Sequence, residues 1–212
     1  MKEFSTSGTL GDVYIICLKL LTLGNIPIKV YHCTTNIYWY PEIKSIYGLF
    51  SNIEVEFVTK DKRRTDLPLI EALPTNQNIV HFPESDLKSN IEKPYNVLLV
   101  NSGKPRSVGK NTKEINPETI KSTIDKCDKK IVLLGTSDLY TDIQDCVNLV
   151  GKTSLIEAMA ITKDADSFAG PAGLISFVAI SHKVRSNILC KQDEKQYYEE
   201  TPWMNYCTLY NI

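Results

Sequence analysis

Neither sign of charge dominates this chain. Lys and Arg total 24 against 25 Asp and Glu, a net charge of −1 over 212 residues, so bulk electrostatics point to neither nucleic acid nor an anionic membrane. Long hydrophobic runs are missing. The stretch VYIICLKLLTL carries a lysine and is too short to cross a bilayer. The start MKEFSTSG lacks the charged-then-apolar plan of a signal peptide. The six cysteines lie far apart, without a Cys-x-x-Cys pair or a Cys/His cluster, which argues against a zinc site and a disulfide framework. The three histidines, His32, His81 and His182, are isolated from one another. No dinucleotide fingerprint Gly-x-Gly-x-x-Gly occurs. Gly151-Lys152-Thr153-Ser154 looks like the end of a phosphate-binding P-loop, but the place of that motif's first glycine is taken by Cys146. These gaps predict a cytoplasmic protein with reduced thiols, no metal, no cofactor, no transmembrane segment and no nucleic-acid partner.

What is present is an alternation. KEFS, IPIKVYHC and IEVEFV read as strands, separated by GDVYIICLKLLTLG, a nearly all-apolar helix, and YPEIKSIYGLF, with apolar residues at helical spacing. A breaker-rich stretch over 59–96 follows, with a short strand NIVHF, and places a boundary near Pro94. The alternation then restarts. YNVLLVNSG and KKIVLLGTS are buried strands ending in glycine. NPETIKSTIDKC is a helix capped by Asn116 with Pro117 in its first turn. LYTDIQDC reads as a short helix, VNLVG as a short strand, and SLIEAMAITKDA as a helix with Ser154 and Glu157 as a capping box. SFAG, LISFVAISHK and RSNILC continue as strand, helix, strand; the tail from Lys191 has no clear pattern. The expectation is an α/β protein of two Rossmann-like domains, 1–93 and 94–212, with parallel sheets.

Four stretches could carry chemistry. In STSGTLGDVY, Gly8 and Gly11 allow close backbone approach and Asp12 opens a helix. Asp12 reads either as a helix cap or as a carboxylate held ionised at a strand's carboxyl end, suited to act as a general base. In NSGKPRSVGK, Lys104, Arg106 and Lys110 read as a solvated basic loop or as a clamp on a diphosphate. Lys152, Thr153 and Ser154 gather an amine, hydroxyls and helix N–H groups, enough for a phosphate, although Ser154 also suits a simple cap. SFAGPAGLIS is a strand, a glycine turn and a helix.

Taken in order, these stretches resemble glycosyltransferase family nine, the ADP-heptose:lipopolysaccharide heptosyltransferase-like proteins. GTLGDVYIICLKLLTLG is similar to that family's opening Gly-x-x-Gly-Asp motif, and the segment from KKIVLLG to SFVAIS is similar to its donor-side core. The resemblance implies a shortened GT-B fold, two Rossmann-like domains facing a cleft, with the donor on the C-terminal domain and the acceptor on the N-terminal one. It implies Asp12 as the base, with Gly8, Thr9 and Gly11 as its acceptor-side loop. Ser102, Gly103, Lys104, Arg106, Lys152, Thr153, Ser154, Glu157 and Gly173 form the expected donor side. The chain departs from the family at Pro171 and Ala172, where Asp precedes Ser/Thr-Gly, and at Ser176, where His follows. The expected activity is metal-independent, inverting transfer of a heptose or hexose-like sugar from a nucleoside diphosphate to a glycan or lipopolysaccharide-type hydroxyl. A peripheral membrane contact is compatible with a glycolipid acceptor. The alternatives are a non-catalytic module binding sugar nucleotides or glycans, and a sugar-nucleotide epimerase.

Overall fold

The computed structural model describes residues 1–33, 40–70, 89–102, 113–136, 140 and 142–211. The chain divides into two compact units, Met1–Asp86 and Leu87–Ile212, against the change near Pro94 expected from composition. The expected strand NIVHF lies outside the described residues.

The N-terminal unit runs β1 (Lys2–Ser7), α1 (Leu10–Leu21), β2 (Ile28–Cys33), α2 (Tyr40–Tyr47) and β3 (Ile53–Val58). The three strands are parallel in the order β1-β2-β3, with Phe4 level with Val30 and Val30 with Val55. On the other side of β1, the Ser5 N–H donates to the Pro68 carbonyl at 3.0 Å. β1 is thus flanked on both sides. α1 is apolar almost all round, and Val13, Tyr14, Ile16, Cys17, Leu18 and Leu20 are all buried, as such a helix requires. Each of its large apolar side chains contributes about 1.5–3 kcal/mol on burial.

The C-terminal unit contains β4 (Tyr95–Leu99), β5 (Asn101–Ser102), β6 (Lys113–Glu114), α3 (Pro117–Asp125), β7 (Lys130–Leu134), β8 (Val147–Asn148), α4 (Leu155–Lys163), β9 (Ser167–Pro171), α5 (Leu174–Ser181), β10 (Arg185–Cys190), α6 (Gln192–Glu199) and β11 (Cys207–Asn211). Six strands form a parallel sheet in the order β11-β10-β9-β4-β7-β8. β4 and β7 are central and buried on both faces, which explains their unbroken apolar runs. Leu98, Val100, Ile131 and Leu133 pack with Ile120 and Ile124 of α3 into one core layer. From β4 the chain winds outward through β7 to β8, then returns to the opposite side of β4 for β9, β10 and β11. The direction therefore reverses between β4 and β9, the place where ligands collect in such sheets.

Two expectations need amendment. No α-helix forms among the described residues of LYTDIQDC. The Asn148 side chain donates to the carbonyls of Tyr140 at 2.7 Å and Ile143 at 3.2 Å, taking the place of helical partners there. The tail is structured: α6 forms, β11 extends the sheet beside β10, and Tyr198 and Trp203 are buried. No helix among the described residues is long and apolar enough to cross a membrane.

Candidate functional site

At the carboxyl end of β1 the chain turns sharply into α1. Asp12 stands exposed in the first turn. Its Oδ2 accepts from the Thr9 N–H at 2.6 Å and the Thr9 hydroxyl at 3.0 Å. Gly8 lies against it: a Cβ at Gly8 would sit 2.5 Å from the Asp12 Cβ, so only glycine fits. Beneath the turn, buried His32 of β2 reaches the Gly8 carbonyl at 3.3 Å. Gly8 and Thr9 form the turn, and Gly11 and Asp12, expected in the same loop, lie in the first turn of α1. His32 is an addition the sequence did not assign; an isolated strand-end histidine gives no local signal.

In the C-terminal unit a polar rim follows the carboxyl ends of four strands. After β8, the Gly151 N–H donates to the Gly135 carbonyl at 2.9 Å. Gly135 follows β7, and a Cβ there would stand 2.4 Å from the Asn101 Oδ1. Buried Asn101 accepts from the Thr136 N–H at 2.8 Å and donates to the Thr136 hydroxyl at 3.1 Å, tying the exits of β4 and β7 together. Ser102 comes next, with the Cβ position of Gly173 3.6 Å from its own Cβ. Ser102 and Gly173 thus flank the reversal between β4 and β9.

Lys113 also belongs to this rim. It pairs with Ser102 across the antiparallel β5–β6 ribbon. Its Nζ donates to the Ala172 carbonyl at 3.2 Å and forms an ion pair with Glu194 of α6. Burial alone would raise the Glu194 carboxyl; the Lys113 ammonium and the Lys191 N–H outweigh it and hold it below its ordinary value. The glycine turn is also internally bonded. The Gly173 N–H is shared between the Ser176 hydroxyl at 2.9 Å and the Tyr198 hydroxyl at 3.0 Å. Ser176 donates onward to the Gly173 carbonyl at 2.7 Å, and the Tyr198 ring stacks on Phe177 at 4.6 Å. Sequence reasoning missed Lys113, Glu194 and Tyr198, because their partners are far away along the chain.

The Gly-Lys-Thr-Ser turn is the local cap it could be read as. Ser154 and Glu157 bond reciprocally at 2.7 and 3.2 Å, and these bonds hold the exposed Glu157 carboxyl below its ordinary value. Lys152 Nζ donates to the Asn148 carbonyl at 2.9 Å, within its own turn. Gly103, Lys104, Arg106 and Lys110 lie outside the described residues. Against the expectation that the chain has no Asp-x-Asp pair, Asp164-Ala165-Asp166 is one, and it sits before β9 at the amino end. Lys93 stands 3.7 Å from Asp164, and Lys129 2.8 Å from Asp166, on the side opposite the rim. Among the described residues no group of three His, Cys, Asp or Glu side chains is placed to hold a metal ion.

No protein-family model and no curated protein matches the sequence. Solved structures do match the fold. The glycosyl transferase family 9 structure from Veillonella parvula DSM 2008 superposes with a TM-score of 0.62 at 12% identity, over 100% of this chain and 86% of that one. This chain has a GT-B-like α/β fold, similar to that of the family 9 structure. The iron-containing dodecameric glycosyltransferase TibC from enterotoxigenic E. coli H10407 shares it with a TM-score of 0.50 at 15% identity, over 89% of this chain. TibC in complex with ADP-D-beta-D-heptose gives 0.51 at 14% identity, over 95% of this chain. The chain spans 57% and 61% of the TibC chains. These structural neighbours are glycosyltransferases.

Proposed function

We propose that the chain is a metal-independent, inverting glycosyltransferase that moves a sugar from a nucleoside diphosphate to a hydroxyl of a glycan or glycolipid. A cytoplasmic location suits such a donor. The observation that carries this reading is Asp12: an exposed carboxylate at the carboxyl end of β1, in a fold shared with glycosyltransferases. Thr9 holds Oδ2, which leaves Oδ1 without a partner among the described residues, available to take the proton of an acceptor hydroxyl. The leaving diphosphate is met at the β4–β9 reversal by Ser102, Lys113 and helix N–H groups, an electrostatic site that uses the chain's own cations. Lys104, Arg106, Lys152, Thr153 and Ser154 complete the proposed donor side, and no cofactor takes part.

The deciding experiment is Asp12→Asn. The amide keeps the space and the capping-box bond but accepts no proton, so acceptor-dependent diphosphate release falls by roughly 10²–10⁴-fold while donor binding and melting temperature hold. Full activity in this variant refutes the assignment. One observation favours a second reading, a non-catalytic module binding sugar nucleotides or glycans: the Gly173 N–H is satisfied within its turn and Lys113 is paired with Glu194. Donor binding without transfer to any acceptor supports that reading.

A further inference from the structure

We propose that His32 is a positioning residue for Asp12, acting through the Gly8 carbonyl; the inference rests on the reading of Asp12 as the base. His32 is 0% exposed. Its Nε2 lies 3.3 Å from the Gly8 carbonyl oxygen and its Nδ1 lies 3.0 Å from the Tyr47 hydroxyl. A carbonyl can only accept, so Nε2 carries the proton. Nδ1 of the neutral ring is then an acceptor, and Tyr47 donates to it. Tyr47 is itself buried, at 1% exposure. The rings of Tyr47 and Phe57 meet the imidazole edge-on at 5.8 and 5.9 Å, which fixes its plane.

The other end of this chain of contacts is Asp12. Gly8 is packed so closely that a Cβ would stand 2.8 Å from the Asp12 Oδ2. Thr9, the next residue, supplies both hydrogen bonds to that oxygen. The Gly8 carbonyl is therefore the point at which the core of the unit grips the turn whose Thr9 holds the carboxylate. Leucine would fill the volume of His32, but it would leave that carbonyl without the imidazole donor. The polar chain Tyr47–His32–Gly8 orients a peptide whose far side faces the acid.

The test compares His32→Gln, whose side-chain amide can still donate to Gly8, with His32→Leu, which cannot. Long-range proton–nitrogen NMR of the full chain first reads the ring, with the neutral Nε2–H tautomer expected. Tyr47→Phe removes the donor to Nδ1 but leaves the Gly8 carbonyl in place, so the Nε2–H tautomer should persist. Amide exchange at Thr9 reports the grip on Asp12. It rises about 10-fold in His32→Leu, the size of one lost hydrogen bond, and stays near wild type in His32→Gln. In the transfer assay, kcat falls in His32→Leu with donor KM unchanged and recovers in His32→Gln. An Nδ1–H tautomer in the wild type overturns the proposal, as does unchanged Thr9 exchange in His32→Leu. If the leucine variant does not fold, a switch to the Nδ1–H tautomer in Tyr47→Phe, where the Gly8 carbonyl is left to hold the proton on Nε2, overturns it. A wild type without turnover refutes the transferase reading alone, because tautomer and exchange still decide whether His32 holds the loop.

Discussion

The two carboxylate oxygens of Asp12 are not equivalent. Thr9, not Asp12, is the N-cap of α1; Asp12 closes the capping box from the third helical position through Oδ2, so it supports the helix start and presents a carboxylate at once. The structural and chemical roles of Asp12 are therefore compatible, and substitution by Ala, which opens the capping box, costs about 1 kcal/mol of stability in addition to any lost chemistry. A second residue-scale consequence concerns acid. Burial first, and Lys163 second, push His182 from 6.5 down to about 4. The unfolded chain takes up this proton near pH 6.5, and the folded chain refuses it until about pH 4. The unfolded state thus holds more protons inside that window, so stability falls as pH drops through it and levels off below. The slope from this one group is at most about 1.4 kcal/mol per pH unit. Urea midpoints measured across the window should decline in the wild type and decline less in His182→Gln. Parallel slopes in the two proteins would remove His182 as the cause.

Helix α6 shows what a short polar element does. QDEKQYYE has little to bury, and Tyr198 is its one buried residue, yet that side chain bonds the glycine turn and stacks on Phe177. Tyr198→Phe keeps the stack and removes the hydroxyl. It should cost about 1–3 kcal/mol, the net worth of the two hydrogen bonds the hydroxyl makes with Gly173 and Ser176, as a shift in denaturant midpoint at constant m-value. A loss of several times that size would mean that the ring itself has moved. The same helix marks the limit of what was legible. Asn116 with Pro117, and Ser154 with Glu157, announce their helices because cap and first turn are neighbours in sequence. β4 and β7 announce themselves because burial on both faces demands unbroken apolar runs. Lys113 with Glu194, and Gly173 with Tyr198, cannot be read this way. Each pair is brought together only by the winding of the sheet, and neither partner carries a local pattern. The two-residue ribbon β5–β6 is likewise too short to show a period.

At the scale of the molecule, the chain is two units, each with its own parallel sheet and core. The proposed donor contacts in the described structure all belong to the C-terminal unit. A nucleoside diphosphate should therefore slow amide exchange at Ser102, Lys113–Glu114 and Ala172–Gly173, with no change in the β1–α1 turn. Adding a chelator should leave calorimetric affinity unchanged, and Lys113→Ala should weaken it about 10-fold, as the loss of a charged hydrogen bond does. Protection confined to the N-terminal unit, or binding abolished by the chelator, would refute the donor assignment.

The strand order also has a consequence in time. β4 is at the middle of its sheet, yet it leaves the ribosome first. β7 and β8 follow soon and cover one side. The other side waits for β9, where Asn96 meets Ser167. Until that late segment arrives, a nascent chain holds Val97 and Leu98 on an open edge, which is a template for wrong partners. Closing that long loop is an entropic cost met before its contacts form. Slowing translation before β9 should therefore lengthen that exposure and raise aggregation of the nascent unit, which pulse-labelled solubility measures.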